Sequence, residues 1–471
     1  MMKLNTLYFS PVTPDDNATL QARLSAYRTG LFDNVLDLAL GDSLINLLGK
    51  RAPNLYQFIG EMQSYYDSAP EQFWKIVHHY AAPFMLSRMV TNDINDPVQL
   101  DHVAGNLHAI LLVERLKGNV SHGGKVTYTT TTDHAGRIPA LLDDSYLHLE
   151  GEPLANTFIK WDCEANRVTL RFPNGERPNI TLALPLAPGG PVSFEPFTKL
   201  ACLDMTIFDN PTVVGMKEGE APADDRRYDD QEGWEPMPLT ESMAQAYPIV
   251  KDLWPEALPW LKALVPAFID MRGPQSRRVH RSASYGPGTP IFFTKVENPL
   301  LHAEDMIHEL QHQRFFLFLE NSDFGLWKDM RQIYVSPYRS DPRPLRGLHI
   351  GLHAFLTVVE FRIRALKRGL LNEQQIYDLI KLHRMNQFSY RTIVEHEQFS
   401  PAGKEFYASI SQEIYEQHKV IESITTAKMN EAVDLTLERQ VEFIGSQVEP
   451  LNAMPNYRFW NDTAQLAAAF A

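Results

Sequence analysis

The hydrophobic period of the chain changes along its length, and each change predicts a different kind of element. Between residues 14 and 118, apolar positions recur every three or four residues in DNATLQARLSAYRTGLF, DNVLDLALGDSLINLLGK, EQFWKIVHHYAAPFMLSRMV and VQLDHVAGNLHAILLVERL. That spacing lines one face of a helix, and the Asp, Asn or Ser near each start suits a helix N-terminus. From about 119 to 215 the period falls to two, in GKVTYTTTT, TFIKWD, NRVTLRF and NITLALPL, with Pro173, Asn174 and Gly175 marking a turn. Alternation of this kind predicts a small antiparallel sheet, which could serve as a platform for a peptide or a lid over a site but is more often plain structure.

Residues 216 to 237 are acidic and poor in aliphatics, which predicts an exposed loop or linker. Helical character resumes in TESMAQAYPIVKDLWPEALPWLKALVPAFIDM, broken by Pro248, Pro255, Pro259 and Pro266. Gly288 to Thr294 (GTPIFFT) reads as a short edge strand. The run from Leu301 to Asn321 holds no Pro or Gly and reads as a helix, with Pro299 just upstream. A further helix is predicted from Leu345 to Lys367, after Pro342 and Pro344, and two long helices beyond Arg368. The fold class is therefore α+β and mainly helical.

Charge and composition narrow the function classes. The formal net charge is -14, from 58 acidic and 44 basic residues, with no block of Lys or Arg. Nucleic acid needs a basic face, so it is not an expected partner, whereas a basic leader segment on a peptide would be attracted. Two cysteines, Cys163 and Cys202, are too few for a disulfide framework or a cysteine metal site. The first residues carry no apolar export segment and no stretch reaches the length of a membrane span, so a cytoplasmic location is the expectation.

The best chemical signal is His308-Glu309-Leu310-Gln311-His312, an H-E-x-x-H sequence on the helix predicted at 301–321. Imidazoles at i and i+4 lie one turn apart on one face, so both can reach one metal ion with Glu309 beside it. A strand followed by such a helix is the arrangement of zincin-type metal sites. The other histidines of the N-terminal helices, His78, His79, His102 and His108, lack that spacing and are not read as ligands. On the next helix Arg346, His349, His353 and Glu360 are spaced three, four and seven apart and share a face, which makes it the candidate source of a third ligand. The chain divides accordingly into an N-terminal helical region (1–118), a sheet region (119–215), an acidic linker (216–237) and a metal-binding helical domain with a zincin-like core (238–471). Arg277, Arg278, His280 and Arg281 fall near the expected cleft rim, where they could meet substrate.

Beyond the short motif, HELQH is followed by the run Tyr334 to Gly347 (YVSPYRSDPRPLRG) and by GLHAF at Gly351 to Phe355. This combination resembles the HExxH-domain proteins found beside ribosomally made peptide natural products, clearly over about residues 270 to 370. The resemblance implies an iron(II)- and 2-oxoglutarate-dependent oxygenase that uses dioxygen to hydroxylate the β carbon of a residue in a precursor peptide. It implies His308 and His312 as iron ligands, with the third from the following helix: His353, with His349 in reserve. Glu360 takes that place if the site is a two-His, one-carboxylate triad.

The same residues admit other readings. A zinc metallopeptidase would use Glu309 as general base on a metal-bound water; an oxygenase would use it to orient a ligand or a water. A third reading is a non-catalytic partner in a peptide-modification pathway that keeps its metal for structure. The cluster Arg339, Arg343 and Arg346 favours the oxygenase, since a guanidinium can fork onto the far carboxylate of 2-oxoglutarate. Against this, those arginines could simply pair with Asp341, Glu304 or helix-end carbonyls.

Overall fold

The computed structural model describes residues 14–40, 53–79, 82, 85–86, 97–118, 126–131, 137–142, 144–149, 158–164, 167–172, 178–183, 186, 191–208, 238–270, 282–293, 298–320, 333–339 and 341–446. The acidic stretch 216–237, the turn Pro173–Gly175, and Arg277, Arg278, His280 and Arg281 lie outside the described residues. The protein is α+β and mainly helical, and it divides into two units: Asn17–Glu241 with Val265–Glu297, and Met1–Asp16 with Ser242–Leu264 and Asn298–Ala471.

The first of these begins with helices α1 (Pro14–Leu40), α2 (Pro53–Ser68), α3 (Pro70–His78) and α4 (Pro97–Gly118). Proline opens α3 because its fixed φ fits the first turn, where its missing N–H has no carbonyl to meet. The strands that follow form two antiparallel sheets. Strands β1 (Val126–Thr131), β4 (Phe158–Glu164), β5 (Arg167–Arg171) and β6 (Ile180–Ala183) run in the order β1-β4-β5-β6. Strands β2 (Arg137–Ala140), β3 (Ser145–Leu149) and β7 (Val192–Pro196) run in the order β2-β3-β7. The inward positions predicted by alternation, Ile159, Trp161, Cys163, Val168 and Leu170, are buried and share a core with Ala109, Leu112, Val113 and Leu116 of α4. Helices and sheet are thus welded by one apolar cluster rather than separated near residue 118.

A third sheet was not foreseen as such. Its order is β11-β12-β10-β9-β8, combining β8 (Thr198–Leu200) and β9 (Met205–Phe208) with β10 (Ala267–Asp270), β11 (Ser282–Ala283) and β12 (Ile291–Phe293). It is mixed, because β10 runs parallel to both β9 and β12. The segment AFID, predicted to be helical, is β10: a short apolar run buried on both faces has no periodicity to betray it, and Pro266 stands directly before it. The strand predicted before the H-E-x-x-H helix is present as β12, but it is interior, with β10 on one side and β11 on the other, and not an edge strand.

The second unit is built from helices. They are α5 (Leu239–Leu253), which begins just before the unit does, α6 (Ala257–Leu264), α7 (Pro299–Glu320), α8 (Leu345–Lys367), α9 (Glu373–His396), α10 (Pro401–Ile424) and α11 (Ala427–Gly445), with a small ladder of β13 (Ile333–Tyr334) and β14 (Arg343–Pro344) before α8. The predicted bounds of α8 match the structure. The last predicted helix is instead two, α10 and α11: the β-branched Thr425 and Thr426 are extended, and Thr426 caps α11 by accepting from the Met429 amide at 3.2 Å. Helices α7 and α8 run antiparallel, since Glu304 meets Arg362, His308 meets Phe355, and Gln311 and Phe315 meet His353. Among the described residues no helix is long and apolar enough to cross a membrane.

Candidate metal centre

Helix α7 positions the motif because its apolar residues Ala303, Met306, Ile307, Leu310, Phe315 and Leu317 are buried and fix its rotation. That rotation sets His308 and His312 side by side, with Nε2 atoms 3.0 Å apart and ring planes at 88°. Two nitrogens bonded to one ion at about 2.0–2.1 Å stand about 2.9 Å apart at a right angle and about 3.4 Å apart at the tetrahedral angle, so the observed spacing lies within reach of one shared ion. Glu309 is buried, with Oε1 4.0 Å from His308 Nε2. His308, Glu309 and His312 are the group among the described residues whose donor atoms all fall within 4.8 Å of one another.

Electrostatics keep the imidazoles neutral. Burial, reinforced by the neighbouring His312, pushes His308 well below the ordinary histidine value, and burial brings His312 to about 4. His308 still keeps 14% of its side-chain surface, so the pair is enclosed but reachable. The wall beside it comes from α8 and the segment before it. The Phe355 ring lies 4.6 Å from that of His308, and Tyr338 stacks on Phe355 at 4.6 Å. Tyr338 in turn passes over Gly351, where a Cβ would come within 2.7 Å of Tyr338 Cδ2, and its hydroxyl donates to Asn386 Oδ1 at 2.7 Å. Gly351 and Phe355 both stand in the GLHAF run, but they drew no notice as site residues because neither carries a donor atom.

The expected third ligands are placed elsewhere. Gln311 accepts from Arg314 Nη1 through Oε1 at 2.6 Å, which leaves its amide nitrogen to face His353 Nε2 at 3.4 Å and engage that lone pair. The His353 ring stacks on Phe315 at 4.4 Å. Phe355, two residues on and so about 200° round the helix, is the residue set against His308. His349 donates from Nε2 to Glu397 at 2.8 Å, which fixes its tautomer and makes Nδ1 the acceptor of the Tyr407 hydroxyl. Both of its nitrogens are therefore occupied. Glu360 accepts from Arg364 at 2.8 Å. The structure thus brings the donor atoms of His308, His312 and Glu309 within 4.8 Å of one another; His353, close enough to feel the charge of His312, and His349 and Glu360 fall outside that group.

In the arginine cluster, Arg339 and Arg343 follow the ion-pair alternative. Arg343 Nε lies 3.0 Å and Arg339 Nε 3.8 Å from the two Asp341 oxygens. Arg346 is exposed at the start of α8. A buried guanidinium that drew no notice, Arg314, sits over the Trp260 ring at 4.5 Å, and burial lowers it to about 9. No protein-family model matches the chain, and no curated protein matches it.

Proposed function

We propose that this chain is a metal-dependent enzyme that hydroxylates the β carbon of a residue in a ribosomally made precursor peptide, with iron(II), 2-oxoglutarate and dioxygen. The observation that carries metal dependence is the His308–His312 pair, 3.0 Å apart on one helix face beside a buried carboxylate. The peptide chemistry rests on the resemblance of residues 334–355 and the motif to the HExxH-domain proteins.

In this reading His308 and His312 hold the ion, and Glu309 supplies a third donor or orients a bound water. The bound iron supplies the activation of dioxygen. Phe355 and Tyr338 keep the His308 ring in one orientation and shed water from that side. Arg339, Arg343 and Arg346 would hold the far carboxylate of 2-oxoglutarate, Arg343 exchanging its Asp341 partner for it.

The test is elemental analysis of the purified protein together with succinate release in the presence of candidate peptide. The expected result is bound iron, succinate formed in step with dioxygen uptake, and a peptide heavier by one oxygen atom. Turnover unchanged after His308→Ala and His312→Ala removes the proposal.

A zinc metallopeptidase is the second reading, favoured by the placement of Glu309. At 4.0 Å from His308 Nε2 its carboxylate stands wider than a neighbouring ligand would and suits a base acting on a metal-held water. Zinc in the protein and a cleaved peptide would establish it in place of the first.

A further inference from the structure

We propose that α9 and α10 carry a second metal site, in which His383 and His418 bind a divalent ion of the zinc class and Glu422 completes the donor set. The inference does not rest on the function proposed above.

The starting observation is two buried imidazoles without hydrogen bonds. His383 is 1% exposed and His418 5%, and among the described residues no hydrogen-bond partner reaches either ring nitrogen of either residue. A neutral imidazole always presents one N–H and one lone pair, and each buried polar group left without a partner is destabilising. Two such rings facing each other across a helix interface concentrate that cost at one place. A cation shared by both lone pairs removes it.

The geometry suits this. The ring centres are 5.6 Å apart, and two imidazoles bonded to one zinc at about 2.0–2.1 Å have centres on the order of 5–6 Å apart. The planes now lie at 17°, and rotation about the soft terminal torsion of either side chain turns a nitrogen toward the gap. Glu422 stands one turn beyond His418, its Oε2 4.0 Å from His418 Nε2 and its side chain 57% exposed, free to swing by the short distance a ligand needs. His-x-x-x-Glu on one helix plus a His from its neighbour is a donor set for imidazole-preferring ions.

The surrounding charge is compatible with a cation. Arg384 lies close to both rings, but it is held by Asn430 Oδ1 at 3.0 Å and Gln387 Oε1 at 3.3 Å, and Asp434 and Glu422 both act on it. One guanidinium is thus set against two carboxylates. Burial also holds both histidines in the neutral form that ligates.

The experiment is zinc binding to the full chain after chelator stripping, measured by elemental analysis of gel-filtered protein and by thermal unfolding. Wild type is expected to retain two equivalents, His308→Ala/His312→Ala one, and His383→Gln/His418→Gln one. Zinc is expected to raise the unfolding temperature of His308→Ala/His312→Ala, and cobalt(II) to give that variant a ligand-field spectrum. That variant leaves α9 and α10 untouched, so the site remains testable if the His383 and His418 changes impair folding. No zinc and no cobalt spectrum in His308→Ala/His312→Ala overturns the proposal, and shows water or empty space between the rings. Retention of the only equivalent by His308→Ala/His312→Ala, with its loss from His383→Gln/His418→Gln, would sink the catalytic reading and leave this one standing.

Discussion

Helices α4 and α7 are each 22 residues long, and both bury polar side chains, but they do so in opposite ways. On α4, Arg115 donates to Glu61 and to Ser64 Oγ at 3.0 Å, with its guanidinium 4.8 Å from the Tyr65 ring centre. Its neighbour Glu114 accepts from the Leu142 amide at 2.9 Å. For these two side chains each donor meets an acceptor supplied by the chain itself. On α7, His308, His312 and Glu309 turn three acceptor-rich groups toward one another. Either one imidazole donates to the other, or both lone pairs address a cation. Complementary burial is a device of architecture, whereas convergent burial of like groups is the arrangement that could hold a metal ion.

The largest effect that can break this comparison is at α4. Arg115→Ala leaves Glu61 as an uncompensated buried charge and is expected to cost about 3–5 kcal/mol in urea unfolding, whether or not metal is present. A loss that zinc or chelator modulates would mean that α4 also belongs to a ligand site. Next, Glu309→Gln keeps the shape of the side chain and removes its basicity. If Glu309 is the base of a peptidase, kcat should fall by roughly 100-fold or more with little change in metal content or stability; in a hydroxylase the change is expected to weaken iron retention, with turnover following the iron that stays bound.

Gly351→Ala tests the wall beside His308. The new methyl would stand 2.7 Å from Tyr338, so overpacking of about 1–3 kcal/mol is expected, accompanied by weaker metal retention as Phe355 shifts. Unaltered metal binding at equal stability would detach that wall from the site. The smallest effect is in pH. Burial lowers His383 and His418 in the folded chain, so the unfolded chain takes up protons first as pH falls below about 6.5. Stability of the metal-free protein is therefore expected to decline from there downward, and to decline less in His383→Gln/His418→Gln. Equal slopes by chemical unfolding across that range would remove these two rings from the balance.

Much of this was legible from residues alone where local signals decide the outcome. Pro342 and Pro344 before α8 and Gly369 after it bracket that helix, and the i, i+4 histidines of α7 can only share a face. What periodicity cannot give is the partner that a face meets. Arg346, His349, His353 and Glu360 follow one stripe of α8, yet Glu397 and Tyr407 engage His349, Gln311 and Phe315 engage His353, Arg364 engages Glu360, and Arg346 is exposed. Those contacts are settled by residues up to 58 positions away, which no window of the sequence holds. The strand β10 was missed for the related reason that its identity comes from the strands on either side of it.

The placement of that strand governs the order in which the chain can assemble. Strands β8 and β9 emerge early in synthesis, but β10, β11 and β12, three of the five strands in their sheet, are not made until residues 267–293. In the interval α5 and α6 appear, which belong almost wholly to the other unit. The outer side of β9 therefore stays bare while some sixty residues pass, a loop closure that slows pairing and leaves a sticky edge open to other nascent chains. A fragment cut after residue 241 keeps that exposed edge for good, whereas one cut after 297 contains every strand of the sheet.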